Sequence, residues 1–275
     1  MIIGVDLGGT NVRAGLVVKS KLTKLNSLKL TDTSSRQKTL NEVIQAIAPL
    51  MRHEVKGIGI GVPSVIDLDK GIVYDVVNIL SWKKVPLKSI LQKEFGKPVY
   101  INNDANCFIL GEHRYGIGKP YSMLVGLTLG TGLGAGIIIN QQLYNGRNCG
   151  AGEIGMLPYL DKNFEFYGSS SYFISTYTLS AAILHEKAMS GNADALKIWN
   201  EYGKHLGNVV KEVMYMYDPE AIILGGSISK AFDFFKEAMS TAMQDFIYPG
   251  SVKKLKILQS KEEHIAVLGA AALAD

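Results

Sequence analysis

Two glycine-rich segments, Asp6-Leu7-Gly8-Gly9-Thr10 and Gly130-Thr131-Gly132-Leu133-Gly134-Ala135-Gly136, carry the residue types that bind polyphosphate. Successive residues without a Cβ let several backbone N–H groups converge on one anion, and the Thr10 hydroxyl adds a donor. Asp6, at the end of an apolar run, is placed to hold Mg2+ through water, because that ion gives up its hydration reluctantly. Alone, the first segment also reads as a tight hairpin whose glycines permit positive φ. In the second, alternate glycines between apolar residues are poor strand formers, each costing about 0.5–1 kcal/mol relative to Ala. Close approach of a ligand to the backbone would explain that cost, and two such loops in one chain point to a shared polyphosphate. Phosphoryl transfer to an alcohol also needs a group to accept the hydroxyl proton. Asp104, in Asn102-Asn103-Asp104-Ala105-Asn106, ends an apolar run and opens a helical pattern, so it reads either as a general base or as a helix N-cap. A helix N-terminus beside it would lower its basicity, leaving orientation of the hydroxyl for in-line attack as its main contribution.

These residues need elements to hold them. Residues 2–18 read as two short strands around the Gly-Gly-Thr turn, and 124–139 repeat the pattern. Gly4, Leu7 and Gly8 fall opposite Gly126, Leu129 and Gly130 at a constant offset, which suggests a duplicated unit. Leu40, Val43, Ile44, Ile47, Leu50 and Met51 recur at helical spacing, 57–62 alternates as a strand, and a strand at 99–104 leads into a helix over 105–115. Leu196, Trp199, Leu206, Val209, Val210 and Val213 form one apolar helical stripe. A strand at 221–226, a helix over 229–247, a strand at 254–258 and a small-residue helix at 266–274 follow. The prediction is an α/β protein of two related lobes with a cleft between them. The first lobe takes 1–117 and the C-terminal helix 263–275, the second takes 118–262, and the only boundary signal is the Gly and Pro content of 115–122.

Composition narrows the class. A chain of 275 residues with 47% hydrophobic content can build real cores, and 29 basic against 25 acidic residues, spread along the chain, leave no stripe for nucleic acid. Two cysteines, Cys107 and Cys149, match neither a disulfide framework nor a paired metal motif, so the expectation is a reducing, cytoplasmic setting. No stretch approaches the roughly 20 apolar residues of a membrane span, and Asp6 interrupts the N-terminal apolar run before a signal-peptide core could form.

The two loops, together with Asn102–Asn106, Gly150-Ala151-Gly152-Glu153-Ile154-Gly155 and 218–226, resemble the ROK family of sugar kinases and sugar-responsive repressors, over essentially the whole chain and in the family's order. The resemblance implies a duplicated ribonuclease H-like fold of the actin and hexokinase type, with ATP and Mg2+ as cofactors. It makes Asp6, Gly8, Gly9 and Thr10 the first phosphate loop and Gly130, Thr131 and Gly132 the second, with Gly225 and Gly226 beside the adenosine. It makes Asp104 the catalytic base, and Asn78, Asn103, Asp104, Glu153 and Glu165 the sugar contacts. Without the resemblance, Glu153 and Glu165 fit solvated surface carboxylates, and Asn78 fits a turn asparagine. A homodimer is implied by the family alone.

Two departures stand out. Met156 occupies the position of a family histidine, and 160–164 before Glu165 lack the family's cysteines, so no zinc site is expected. The loss of an imidazole donor leaves the sugar open: glucose phosphorylated at its 6-hydroxyl is the first expectation, with N-acetylmannosamine, N-acetylglucosamine, fructose and allose as alternatives. A sugar-sensing regulator is the competing class, although the first loop begins too near the N-terminus for a preceding DNA-binding module. The five histidines, His53, His113, His185, His205 and His264, occupy no motif and read as surface or packing residues.

Overall fold

The computed structural model describes residues 1–275, which form two compact units. The first comprises 1–120, 136–151 and 262–275, and the second comprises 121–135 and 152–261. The segment 136–151 therefore belongs to the first unit, whereas the sequence places it with the second lobe.

The first unit is built on a five-stranded sheet with the order Lys21–Lys29, Asn11–Val18, Ile2–Leu7, Gly57–Val62, Val99–Asn103. Its first three strands run antiparallel and its last three parallel. Ile3, Val5, Leu7, Ile58, Ile60 and Val62 are fully buried, as expected of strands covered on both faces. The C-terminal helix Ile265–Ala272 packs on this sheet, and glycine makes the approach possible. A Cβ at Gly59 would lie 1.7 Å from Ala270 O, and one at Gly4 would lie 2.0 Å from Val267 O. The Lys21–Lys29 strand has no counterpart in the sequence reading, because its outward residues are polar and it pairs along one side only.

The second sheet has the order Gln142–Leu143, Leu133–Ile139, Leu124–Leu129, Ala221–Gly225, Lys256–Gln259, the same hairpin-then-parallel plan as the first. Its Ala221–Gly225 strand pairs in parallel with both Leu124–Leu129 and Lys256–Gln259. Duplication read from Gly4, Leu7 and Gly8 against Gly126, Leu129 and Gly130 is thus a duplication of sheet topology. In the second unit the long helix Ala193–Tyr217 buries Trp199, Tyr202, Leu206, Val209, Val210 and Val213, while Leu196, assigned to that stripe on sequence, faces solvent. The helix predicted over 229–247 begins as a short 3-10 turn, Ile228–Ala231, and its α-helical part ends at Ala242.

Candidate active site

In the first unit, parallel register brings the chemistry to one edge. Asp6 pairs with Gly61, and Gly61 pairs with Asn102, so Asp6 and the Asn102–Asp104 run stand at the carboxyl ends of the two strands that flank Gly57–Val62. That edge is where parallel sheets place their ligands. The helix Asp104–Arg114 starts there, and its cap is Asn103 rather than Asp104. Asn103 Oδ1 accepts from the N–H of Ala105 at 2.9 Å and from that of Asn106 at 3.4 Å. Asp104 is the first helical residue, half-buried, with Oδ1 accepting from Ala105 N–H at 2.9 Å. The capping alternative for Asp104 therefore falls to its neighbour, and Asn103 commits its carbonyl oxygen to the helix. Its amide nitrogen has only a long contact, 3.4 Å, to Ser64 O.

A buried asparagine network holds this turn. Asn102 Oδ1 accepts from Asn103 N–H at 2.8 Å and from Asn106 Nδ2 at 2.9 Å, while Asn102 Nδ2 donates to Asn145 Oδ1 at 2.9 Å. Asn102 lies at the carboxyl end of the strand and Asn106 in the first turn of the helix, so the pair ties the two elements together across the turn. Cys107, behind them, is fully enclosed, and burial first, then the charges of Asp104 and Asp6, push its thiol pKa well up. Both carboxylates thus influence one buried point beneath the sheet edge.

The first loop differs from its expected conformation. Neither Gly8 nor Gly9 has positive φ. What glycine permits is approach: a Cβ at Gly9 would lie 2.3 Å from Asn78 Cβ, so the exposed Asn78 side chain rests directly on the loop. Gly8 N–H closes the turn onto Asn11 O at 2.9 Å, and the amides of Gly9 and Thr10 take no part in that bond. Asp6 lies 3.2 Å from Arg13 Nη1. Burial raises the Asp6 pKa, with Arg13 and then His264 opposing, so a nearby cation stabilises its charged form.

In the second unit, Gly130 N–H closes its own turn onto Gly132 O at 3.1 Å, again leaving the Thr131 and Gly132 amides outside the bond. The nearest atom to a Cβ at Gly130 is Ser227 Oγ, 3.9 Å away, so this position opens into space beside the 225–227 turn. Gly226 has φ of 85°, and a Cβ there would lie 2.3 Å from Leu129 O. The second loop and the Gly225-Gly226 turn are therefore neighbours. Not every glycine of 130–136 faces a ligand, as the sequence suggests. Gly136 is required by packing, because a Cβ there would lie 2.5 Å from Ala105 O.

Glu165 sits on this loop. Its Oε2 accepts from Leu133 N–H at 3.3 Å and would lie 2.7 Å from a Cβ at Gly132. Glu165 belongs to the short helix Phe164–Gly168, capped by Asn163 Oδ1 on Phe166 N–H at 2.8 Å. Glu153 precedes the 3-10 turn Ile154–Met156, and Gly155 brings that turn against Glu165, whose Cβ would be 3.2 Å from a Cβ added there. Partial enclosure of the Glu153 carboxyl, and secondarily the Glu165 charge, raise the Glu153 pKa. Met156, in the position of the family histidine, is 52% exposed. His205, expected as a surface or packing residue, packs among aromatic side chains and also meets Tyr159 Oη through Nδ1 at 3.2 Å. On the sequence it does not stand out, because Asn200, Glu201, Lys204 and Lys211 of the same helix are polar as well.

Within each unit, then, a polar side chain of the expected sugar set lies on a glycine of the expected phosphate set: Asn78 on Gly9, and Glu165 on Gly132. Known proteins resemble this chain over nearly its whole length. The sequence model of the ROK family matches residues 2–165 and 169–275. A glucokinase of Thermotoga maritima is 31% identical over 309 residues, covering 99% of this chain and 96% of that protein. A xylose repressor of Caldicellulosiruptor bescii is 29% identical over 315 residues, covering 99% of this chain and 77% of that one. The crystal structure of a ROK family glucokinase from Streptomyces griseus, in complex with glucose and AMPPNP, superimposes with a TM-score of 0.85 at 25% identity, covering 99% and 98% of the two chains. The duplicated α/β fold expected from the sequence is the fold of that enzyme.

Proposed function

This chain belongs to the ROK family, and from that premise we propose that it is an ATP-dependent sugar kinase moving the γ-phosphoryl group onto the 6-hydroxyl of glucose or a related hexose. The observation that carries this reading is the pairing of sugar-type and phosphate-type residues in each unit, Asn78 with Gly9 and Glu165 with Gly132. In a phosphoryl transfer the donor's terminal phosphate and the acceptor hydroxyl must meet, and such pairing is what that requirement produces.

The amides of Gly9, Thr10, Thr131 and Gly132, together with the Thr10 hydroxyl, bind the polyphosphate, and Gly225 and Gly226 border the adenosine. Asp104 orients the sugar hydroxyl and accepts its proton as the phosphoryl group leaves ATP. Its place is set by the Asn103 cap and the Asn102–Asn106–Asn145 network, so little ordering remains for the bound state. Asn78, Asn103, Glu153 and Glu165 hold the sugar through paired hydrogen bonds to vicinal hydroxyls. Asp6 suits Mg2+, since a carboxylate with a raised pKa gains from a cation, and Mg2+ supplies charge neutralisation on the phosphates.

Met156 bears on which sugar is preferred. A thioether donates no hydrogen bond, so a hexose that relies on an imidazole donor there loses about 0.5–1.5 kcal/mol. N-acetylmannosamine, N-acetylglucosamine, fructose and allose are the alternatives to glucose. A cytoplasmic setting and a homodimer belong to the same proposal; the cysteines are both unpaired, and no helix is long and apolar enough to cross a membrane.

The test is a coupled ADP-release screen over these hexoses with ATP and Mg2+. Turnover with at least one hexose, abolished by EDTA and restored by Mg2+, is expected. The similarity to a xylose repressor favours a second reading, a regulator that senses sugar without catalysis. Calorimetric binding of a sugar with no ADP release from any hexose would replace the kinase by that regulator.

A further inference from the structure

His205 lies on the helix Ala193–Tyr217, outside every motif, yet a network converges on it. Asn208 Nδ2 donates to Tyr159 Oη at 2.9 Å, and Tyr159 Oη lies 3.2 Å from His205 Nδ1. With the phenol oxygen accepting from Asn208, we assign its own proton to the bond with His205 Nδ1, the arrangement in which the neutral ring accepts at Nδ1 and carries its proton on Nε2. Burial is the main cause of a lowered His205 pKa, with Lys204 adding to it and Glu201 opposing, so the neutral ring is the favoured form. The ring also packs against Tyr167 and Tyr172, with centroids 4.5 and 5.1 Å away.

What this cluster holds is the segment carrying Glu165. Tyr159 stacks on Phe164 with centroids 4.4 Å apart and planes within 15°. Pro158 and Tyr159 pair with Asn163 and Lys162 in a two-stranded ribbon, and Tyr167 donates its hydroxyl to Asp161 across the same turn. At the far end of the short helix, Tyr202 Oη donates to Gly168 O at 2.9 Å. Residues 158–168 are thus tied to the long helix at Tyr159 and again at Gly168, with Glu165 between the two anchors.

We propose that His205 is a positioning residue of the sugar site: as acceptor for Tyr159 it fixes the 158–168 segment, so that the Glu165 carboxylate is presented beside Gly132 and Leu133. The role rests on the reading of Glu165 as a sugar ligand. Three chemical consequences follow from the direction of the bond. Tyr159→Phe removes the donor, His205→Phe keeps a ring but removes the acceptor, and His205→Asn returns an acceptor oxygen near the position of Nδ1.

The experiment is steady-state kinetics, with glucose or the hexose turned over fastest, varying sugar at saturating ATP and then ATP at saturating sugar. Tyr159→Phe and His205→Phe are each expected to raise the sugar KM roughly 3- to 10-fold, the effect of losing one hydrogen bond, with the ATP KM unchanged. The double variant should be no worse than either single one, because both break the same bond. His205→Asn should recover a sugar KM within about 2-fold of the parent, which restored packing alone would not produce. An unchanged sugar KM in Tyr159→Phe and His205→Phe, an equal rise in ATP KM, or an Asn variant no better than the Phe variant would each overturn the proposal. Glu165→Gln separates the two levels. If it raises the sugar KM while the cluster variants do not, the positioning role alone fails; if it leaves the sugar KM unchanged, the ligand role of Glu165 fails and the positioning role with it.

Discussion

On the proposed reading Asp104 is the base, and the structure gives the helix cap to Asn103, so that Asp104 stands at the first helical position with Oδ1 on the Ala105 amide. Asn103→Ala removes both capping bonds, and a loss of about 1 kcal/mol of stability is expected, read from urea unfolding, with a larger fall in kcat than that loss alone explains. Glu153 makes a second prediction. Its folded pKa is raised by partial enclosure and then by Glu165, so the folded state carries a penalty when Glu153 is ionised. The sign follows from linkage: relative stability is greatest below the unfolded-state pKa of glutamate and is lost as pH rises through the raised folded value. Glu153→Gln should therefore increase the melting temperature at neutral pH, with the gain shrinking to nothing in acid, while sugar affinity falls. An equal change in melting temperature at both pH values would contradict the assignment of the shift to Glu153.

At the scale of elements, glycine is the residue that fixes distances, and this is testable where the geometry is tight. Gly226→Ala places a Cβ 2.3 Å from Leu129 O in a conformation with φ of 85°. A loss of about 1–3 kcal/mol is expected in chemical unfolding, together with a raised ATP KM, because the turn borders the second loop. Which elements carry these glycines is legible in the sequence: an apolar run interrupted by Gly-Gly-Thr has few alternatives to a strand, a turn and a strand. Why each glycine is there is not legible, since the answer lies in partners far along the chain. Gly9 meets Asn78, Gly132 meets Glu165, and Gly136 meets Ala105. The helix end at Ala242, short of the expected 247, is likewise set by tertiary context, because Met243 and Phe246 still turn inward beyond it. The His205 cluster is hidden for the same reason, as its members come from three separate segments of the chain.

For the whole molecule, the repeated sheet plan gives each unit one glycine loop at a sheet edge, and the C-terminal helix completes the first unit by packing on Gly4 and Gly59. Gly59→Val is expected to destabilise that unit by about 1–3 kcal/mol through overpacking against Ala270, measured by thermal unfolding. The central proposal is that the γ-phosphoryl group of ATP is transferred to a sugar hydroxyl oriented by Asp104. It is tested most directly by rapid-quench single-turnover transfer from radiolabelled ATP to glucose, or to the hexose preferred in the screen, comparing the parent protein with Asp104→Asn. The same sugar is titrated calorimetrically into both proteins. The account predicts that the variant binds sugar within a few-fold of the parent while the transfer rate falls by about 10²–10⁴. An undiminished transfer rate in Asp104→Asn, with sugar still bound, would contradict it.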